Sequence, residues 1–297
     1  LNCNSLAIDD TQRKHMDTPH PINDEQARLW NGHAGHAWVE AQRVLDRMLQ
    51  PFEDLLMEVV HAARPKRLLD IGCGTGSTTL AAARLLGGAA RCTGVDISGP
   101  MIAAARDRAA LQGLAVEFVQ ADVQAHAFEP AAHDLLISRF GVMFFDDPVR
   151  AFANLRHAAA PGAALHFAAW RGADENPFMT TAERAAAPLL PALPARRPGA
   201  PGQFAFADAQ RIRAVLEGSG WEAIEVRPVD AECSLAEQDL VPYLKRLGPL
   251  GLALQDADER TRTAVVGTVR AAFDRFLLGG EVRFTSACWM VEARAPA

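Results

Sequence analysis

Strand and helix signals alternate without interruption between residues 67 and 170, and this rhythm restricts the chain to an open α/β architecture. RLLDIG (67–72), a helical stretch from Ser77 to Leu86, RCTGVD (91–96), a helix from Pro100 to Gln112, VEFVQ (116–120) and HDLLIS (133–138) follow in order. A helix from Pro148 to Ala159 and a strand from Ala163 to Trp170 extend the series. Strands joined through helices of this length require right-handed crossovers, so the strands lie parallel and the helices cover both faces of the sheet. Apolar residues at helical spacing from Pro21 to Leu56 predict two helices ahead of the alternation, and Pro51 begins a third over Phe52 to Ala63. Beyond Trp170 the proline-rich stretch 188–201 reads as a loop. A helix from Asp208 to Gly218, a strand from Ala223 to Pro228, a mainly helical insertion from Leu235 to Leu278 and a strand from Val282 to Ala293 follow.

The chemistry is concentrated in LLDIGCGTGS (68–77), where an apolar strand runs into three glycines at alternate positions and then into a helix. Such a turn lets backbone approach a ligand closely and presents the free N–H groups of a helix start; its other reading is a structural tight turn. A dinucleotide fingerprint needs GxGxxG, whereas here the third glycine comes one position early, at Gly76, with Ser77 in its place. The second strand ends on Asp96, placed to accept from ribose hydroxyls. A helix cap or turn is the other role open to Asp96, but Ser98 is better placed to cap the helix that follows. As a strand-end carboxylate, Asp96 is expected to be exposed and dispensable to the core.

These residues resemble the class I S-adenosylmethionine (SAM) dependent methyltransferases, in particular the bacterial group similar to the ubiquinone/menaquinone C-methyltransferases. The resemblance runs over most of the chain from Trp30. It implies a Rossmann-like, seven-stranded, mostly parallel sheet with the last strand antiparallel. It also implies that Asp70, Gly72, Gly74 and Gly76 hold the methionine end of SAM, that Asp96 takes the ribose, and that Ile97 and Met101 sandwich the adenine. Asp122, in the triplet Ala121-Asp122-Val123, would accept from the exocyclic amine. Ser138, Arg139 and Phe140, at the end of the fourth strand, would lie beside the methionine moiety; a surface ion pair is the other reading of Arg139. WNGHAGHAW (30–38) is similar to the amino-terminal cover of related enzymes, so Trp30, Asn31 and Trp38 would close over the cofactor, although tryptophans at this spacing also occur as core. Phe140, Trp170, Asn176 and Phe178 match positions near the acceptor. The expected product is S-adenosyl-L-homocysteine.

Methyl transfer from a sulfonium is an in-line displacement that needs positioning and exclusion of water more than a catalytic side chain. An acceptor that must lose a proton would use a base, for which His33, His36 and His166 are the candidates, each of them also readable as a solvated or core histidine. The long proline-rich loop and the helical insertion depart from the quinone enzymes, so the resemblance does not carry a quinone acceptor over; the acceptor is expected to be a small molecule, methylated on carbon, oxygen or nitrogen, whose identity is left open. Two other readings stay open: a non-catalytic SAM-binding scaffold, and a nicotinamide (NAD(P)) oxidoreductase, against which the glycine spacing counts.

Net charge is −6, without the basic footprint of a nucleic-acid binder, and Asn176-Pro177-Phe178 follows the wrong strand for a nucleic-acid methylation motif. The five cysteines lack CxxC spacing, so neither a disulfide framework nor a metal site is expected. No apolar run reaches bilayer length, and a cytoplasmic location is expected. The sequence divides into a vector-derived tail at 1–15, a helical cover at 16–63 and a SAM-binding domain at 64–297 with insertions at 172–206 and 235–280. The oligomeric state is left open.

Overall fold

The computed structural model describes residues 24–191, 193, 196–197 and 199–297. The expected vector tail at 1–15 and the start of the first expected helix at Pro21 lie outside the described residues. Among the described residues four helices, not three, precede the sheet: α1 (Asp24–Asn31), α2 (His33–Glu40), α3 (Gln42–Met48) and α4 (Gln50–Ala63). The additional breaks have local causes. Ala41 and Leu49 take ψ values near zero, 2° and 9°, outside the helical well, and each turns the chain. At Gly32 a side chain would stand 2.8 Å from the carbonyl oxygen of Arg28. Pro51 sits in the first turn of α4, and Phe52, Leu56 and Val60, spaced four apart, are fully buried against the sheet.

The alternating segment then gives β1 (Arg67–Ile71), α5 (Ser77–Leu86), β2 (Arg91–Asp96), α6 (Gly99–Leu111), β3 (Glu117–Gln120), β4 (His133–Arg139), α7 (Pro148–Ala158) and β5 (Ala159–Trp170). There follow α8 (Pro177–Ala186), α9 (Ala209–Gly218), β6 (Glu222–Ala236), α10 (Glu237–Arg246), α11 (Gly248–Ala253), α12 (Glu259–Ala272), β7 (Leu277–Leu278) and β8 (Glu281–Arg294). The sheet order is β3-β2-β1-β4-β5-β8-β6, with the two-residue β7 paired to β8 beside this path. β1 to β5 are mutually parallel, and β8 runs antiparallel between β5 and β6. The expected seven-stranded, mostly parallel sheet is therefore present, with one short strand added.

Two elements depart from the sequence reading. β6 runs on to Ala236 instead of ending at Pro228, because it is an edge strand, where the missing N–H of proline is tolerated. α8 lies ahead of the proline-rich loop, within the 172–206 insertion, where the sequence reading assigned no element. Its buried face includes Thr180 and Thr181 beside Phe178 and Ala186, so its apolar signal is weak. The strand order reverses between β1 and β4, and at such a switch point the loops leaving the carboxyl ends diverge and open a crevice.

Candidate functional site

A cavity of about 1030 Å³ opens at this switch point. Its inner end is built on the glycine turn after β1. Gly72, Gly74 and Gly76 all take positive φ (62°, 54° and 82°), which favours glycine, but they serve different ends. A Cβ on Gly72 would lie 2.6 Å from the Cα of Gly141, so the turns after β1 and β4 pass in backbone contact. Gly74 faces the cavity, with the Met101 sulfur 3.7 Å from where its Cβ would be. Gly76 is off the wall; its Cβ would meet the Phe118 ring at 2.8 Å, and it allows α5 to start tightly over β3.

Beneath the turn lies a buried polar network. One Asp70 oxygen, Oδ2, accepts from the Thr79 hydroxyl at 2.6 Å, while Oδ1 is buried without a partner. Burial pushes this carboxyl up to about 7; the Thr79 hydrogen bond and the Arg139 charge pull it down, and Glu53 and Asp96 add to the rise. Glu53 accepts from the Ser77 hydroxyl at 2.5 Å and faces Arg139 at 3.5 Å. Both side chains of that ion pair are largely buried, so Arg139 is not a surface residue, and it lines the cavity. Ser138 is fully buried, donates to the Ile71 carbonyl at 2.6 Å and accepts from Gly141 N–H at 3.2 Å, tying β4 to β1. Asp70, Gly76 and Ser138 thus shape the turn from behind and do not line the cavity.

Asp96 does line it, but it is not the exposed carboxylate that its strand-end position suggests. It is 7% exposed, and its two oxygens accept from the N–H groups of Gly74 and Ser98, both at 2.8 Å. Burial raises its pKa while the backbone N–H groups of Ser98, Gly74 and Ile97 oppose the rise. Asp96 therefore clamps the glycine turn to the start of α6, and each oxygen keeps a second lone pair. Ile97, Met101, Asp122 and Val123 continue the wall. Asp122 accepts from Gln124 N–H at 2.9 Å, which orders the loop after β3. Ser98 caps α6 as expected, accepting from Met101 N–H.

The amino-terminal helices close one side. Asn31 donates to the Ile97 carbonyl at 3.0 Å and accepts from Gly99 N–H at 2.8 Å, and the Ser98 hydroxyl donates to the Trp30 carbonyl at 2.6 Å. Trp30 lies edge-on to Trp38 and to Phe144, with centroids 5.9 and 5.0 Å away. Both tryptophans and His33 line the cavity, whereas His36 does not.

Of the expected acceptor residues, Phe140 and Trp170 are on the wall, stacked on each other at 4.5 Å. Phe140 holds a positive φ of 64°, a strained conformation for a residue with a side chain and a kind that clusters at functional sites. The other two are corrected by the structure. Asn176 is 1% exposed and pairs with both backbone groups of Ala287 at 2.9 Å, so it fastens β8 to the start of α8. Phe178 stacks on Phe284 in the core beneath the insertion, away from the cavity. His166 faces Glu292 across the β5–β8 ladder at 4.0 Å, also away from the cavity, and burial lowers its pKa. Sequence reasoning missed Glu53, Thr79 and Gly141, whose parts depend on contacts between distant segments. No group of three or more metal-ligating side chains occurs among the described residues.

Comparison with known proteins agrees with this geometry. The model of a methyltransferase domain family matches residues 68–162. The chain is 39% identical over 127 residues to a demethylmenaquinone methyltransferase of Thermus thermophilus, covering 41% of this chain and 57% of that one. It is 30% identical over 183 residues to a malonyl-[acyl-carrier protein] O-methyltransferase of Pseudescherichia vulneris, covering 56% and 69%. Among solved structures, the YcgJ protein of Bacillus subtilis shares the fold, with a TM-score of 0.54 at 16% identity over 82% of this chain and 98% of that one. The chain spans about half the length of several curated relatives it matches. With a cavity built on the glycine turn at a topological switch point, and with more than two thirds of a 30%-identical relative covered, the chain belongs to the class I SAM-dependent methyltransferases.

Proposed function

We propose that this protein transfers the methyl group of SAM to a small-molecule acceptor by direct in-line displacement. The observation that carries the proposal is the continuity of one cavity. It runs from Gly74, Asp96 and Asp122 at its inner end, past Phe140 and Trp170, to the loop at 196–205 and to α10 and α11 at its mouth. Its volume of about 1030 Å³ is at the top of the range usual for a single small-molecule site, roughly 300–1,000 Å³, which suits two ligands held side by side.

The residues present fit SAM chemically. The slot between Ile97, Met101 and Val123 suits a planar apolar ring, and Asp122 at its edge suits an exocyclic amine. Asp96 offers lone pairs to a diol. The glycine turn, with Gly74 bare of side chain, admits a chain carrying an ammonium and a carboxylate, the latter facing the Arg139 side. Bound there, SAM would supply an electrophilic methyl group on a sulfonium. The protein's part is to hold the acceptor in line and to keep water out, the second through Trp30, Trp38 and Phe144 on the covering side. His33 is the one of the three candidate histidines on the wall, and any proton taken from the acceptor by a side chain is assigned to it. Helices α1 to α3 act as the cover, and α10 and α11 form the outer wall of the acceptor chamber. The net charge of −6 supports a small acceptor over a nucleic acid.

Isothermal titration of the purified protein with SAM, S-adenosylhomocysteine and NAD tests the reading. Binding of the first two at micromolar or tighter Kd, without NAD, is the expected result. Binding of NAD alone, or of none of the three, would overturn it.

A further inference from the structure

The outer half of the cavity carries more positive charge than the cofactor end requires. Arg139, Arg196, Arg197, Arg211 and Arg246 all line it. Three of these are answered by carboxylates: Arg139 by Glu53, Arg196 by Glu183 at 2.5 Å and Arg246 by Glu40 at 3.0 Å. Arg211 and Arg197 are not. Among the described residues the Arg197 side chain makes no hydrogen bond or ion pair. Among the described residues the Arg211 side chain donates only to the Gly199 carbonyl, at 2.9 Å, and its buried Nε has no partner. A buried donor left unmatched in a guanidinium is costly, and it is the kind of group that a ligand satisfies.

The loop between α8 and α9 carries Arg197 and, two residues on, holds the Arg211 guanidinium against Gly199. Ala200 N–H donates to the Arg197 carbonyl at 3.3 Å, closing a turn around Gly199, whose φ of 73° favours glycine. A side chain on Gly199 would meet Arg211 Nη1 at 2.8 Å. Gly202 N–H donates to the Met143 carbonyl at 3.0 Å and anchors the loop beside the end of β4. The nearest acid in the sequence, Asp208, also faces the cavity, but its Oδ1 is used by Gln210 N–H as the cap of α9, and it forms no ion pair with Arg211. Much of the surrounding wall is apolar, including Phe204, Pro249 and Leu252.

We infer that Arg197 and Arg211 form an anion subsite, and that the methyl acceptor is a small molecule bearing a carboxylate or phosphate on an otherwise apolar body. This rests on the methyltransferase reading for the word acceptor, but the anion subsite stands on the arginines alone. Guanidinium donors match the oxygens of such groups in charge and geometry, and a neutral analogue would leave the buried Arg211 Nε without a partner.

The test titrates the protein saturated with S-adenosylhomocysteine with 4-hydroxybenzoate, trans-aconitate and inorganic phosphate, and with 4-hydroxybenzamide as the neutral match of the first. The same series is run on Arg197→Gln/Arg211→Gln and on the surface control Arg91→Gln. At least one of the three anions is expected to bind the wild type and the control. The double variant should bind it at least tenfold more weakly, with unchanged S-adenosylhomocysteine affinity and melting temperature, and the benzamide should bind at least tenfold more weakly than any bound benzoate. Failure of all three anions to bind, or equal binding to wild type and double variant, would overturn the subsite. If phosphate binds and the carboxylates do not, the subsite takes phosphorylated acceptors; the reverse assigns carboxylic acids. Anion binding without S-adenosylhomocysteine binding would sink the methyltransferase reading and leave the subsite intact.

Discussion

Two carboxylates under one glycine turn have different duties, and each has its own experimental signature. Asp70, pushed up to about 7 from 3.8 by burial, holds its proton more tightly in the folded chain than in the unfolded one. The stability this contributes is complete below the unfolded value and is lost as pH rises from about 4 through 7. Asp70→Asn keeps an oxygen for the Thr79 hydroxyl and removes the ionisation. Its melting temperature should therefore gain on the wild type between pH 5 and pH 8, by an amount corresponding to a few kcal/mol; parallel profiles would contradict the burial argument. Asp96 answers two backbone N–H groups. Asp96→Ala should cost roughly 1–3 kcal/mol of stability for each donor left buried, together with a loss of S-adenosylhomocysteine affinity. Chemical denaturation read beside the titration checks both, and a variant as stable as the wild type would mean that the clamp contributes nothing. The residue types of the turn were legible in the sequence, but their division of labour was not. Whether a glycine faces a ligand or a phenylalanine ring depends on what β3 and α6 bring up behind it, and no local pattern encodes that.

At the scale of elements, α5 and β2 keep the bounds read from the sequence and the other members of the alternating run stay within four residues of theirs, because their apolar runs and caps are local. The errors fall where tertiary context decides. Pro228 would end a central strand, yet β6 is an edge strand and passes through it. α8 hides behind threonines on its buried face, and Asn176 and Phe178, expected at the acceptor, are consumed in fastening α8 to β8 and the insertion. The cover shows the same dependence. Its tryptophans were legible, but the latch is a set of contacts across 66 to 68 residues of sequence, from Asn31 and Trp30 to the turn between β2 and α6. Asn31→Ala removes two of these at once. Hydrogen exchange over residues 24–40 should speed up while β1 and α5 keep their protection, and S-adenosylhomocysteine should bind about tenfold more weakly, close to the 1.4 kcal/mol expected for a partly exposed pair of hydrogen bonds. Unchanged exchange in the cover would show that packing of Trp30 and Trp38 alone holds it down.

For the molecule as a whole, the sheet supplies a switch point, the first half of the chain lines its inner crevice, and the second half adds the chamber beyond it. The parallel half was readable because alternation of strand and helix admits few topologies. The chamber was not, since its loop, α9 and α10 bring arginines to the cavity from positions spread between 196 and 246. The central claim is that one continuous cavity holds SAM at its inner end and an acceptor at its mouth. A crystal structure of the protein with S-adenosylhomocysteine tests it most directly. The account predicts the adenine between Met101 and Val123 with its amine toward Asp122, the ribose diol on Asp96, the amino-acid end over Gly74, and the thioether facing Phe140 and the open chamber. Density for the nucleoside elsewhere, or a thioether turned away from that chamber, would contradict it.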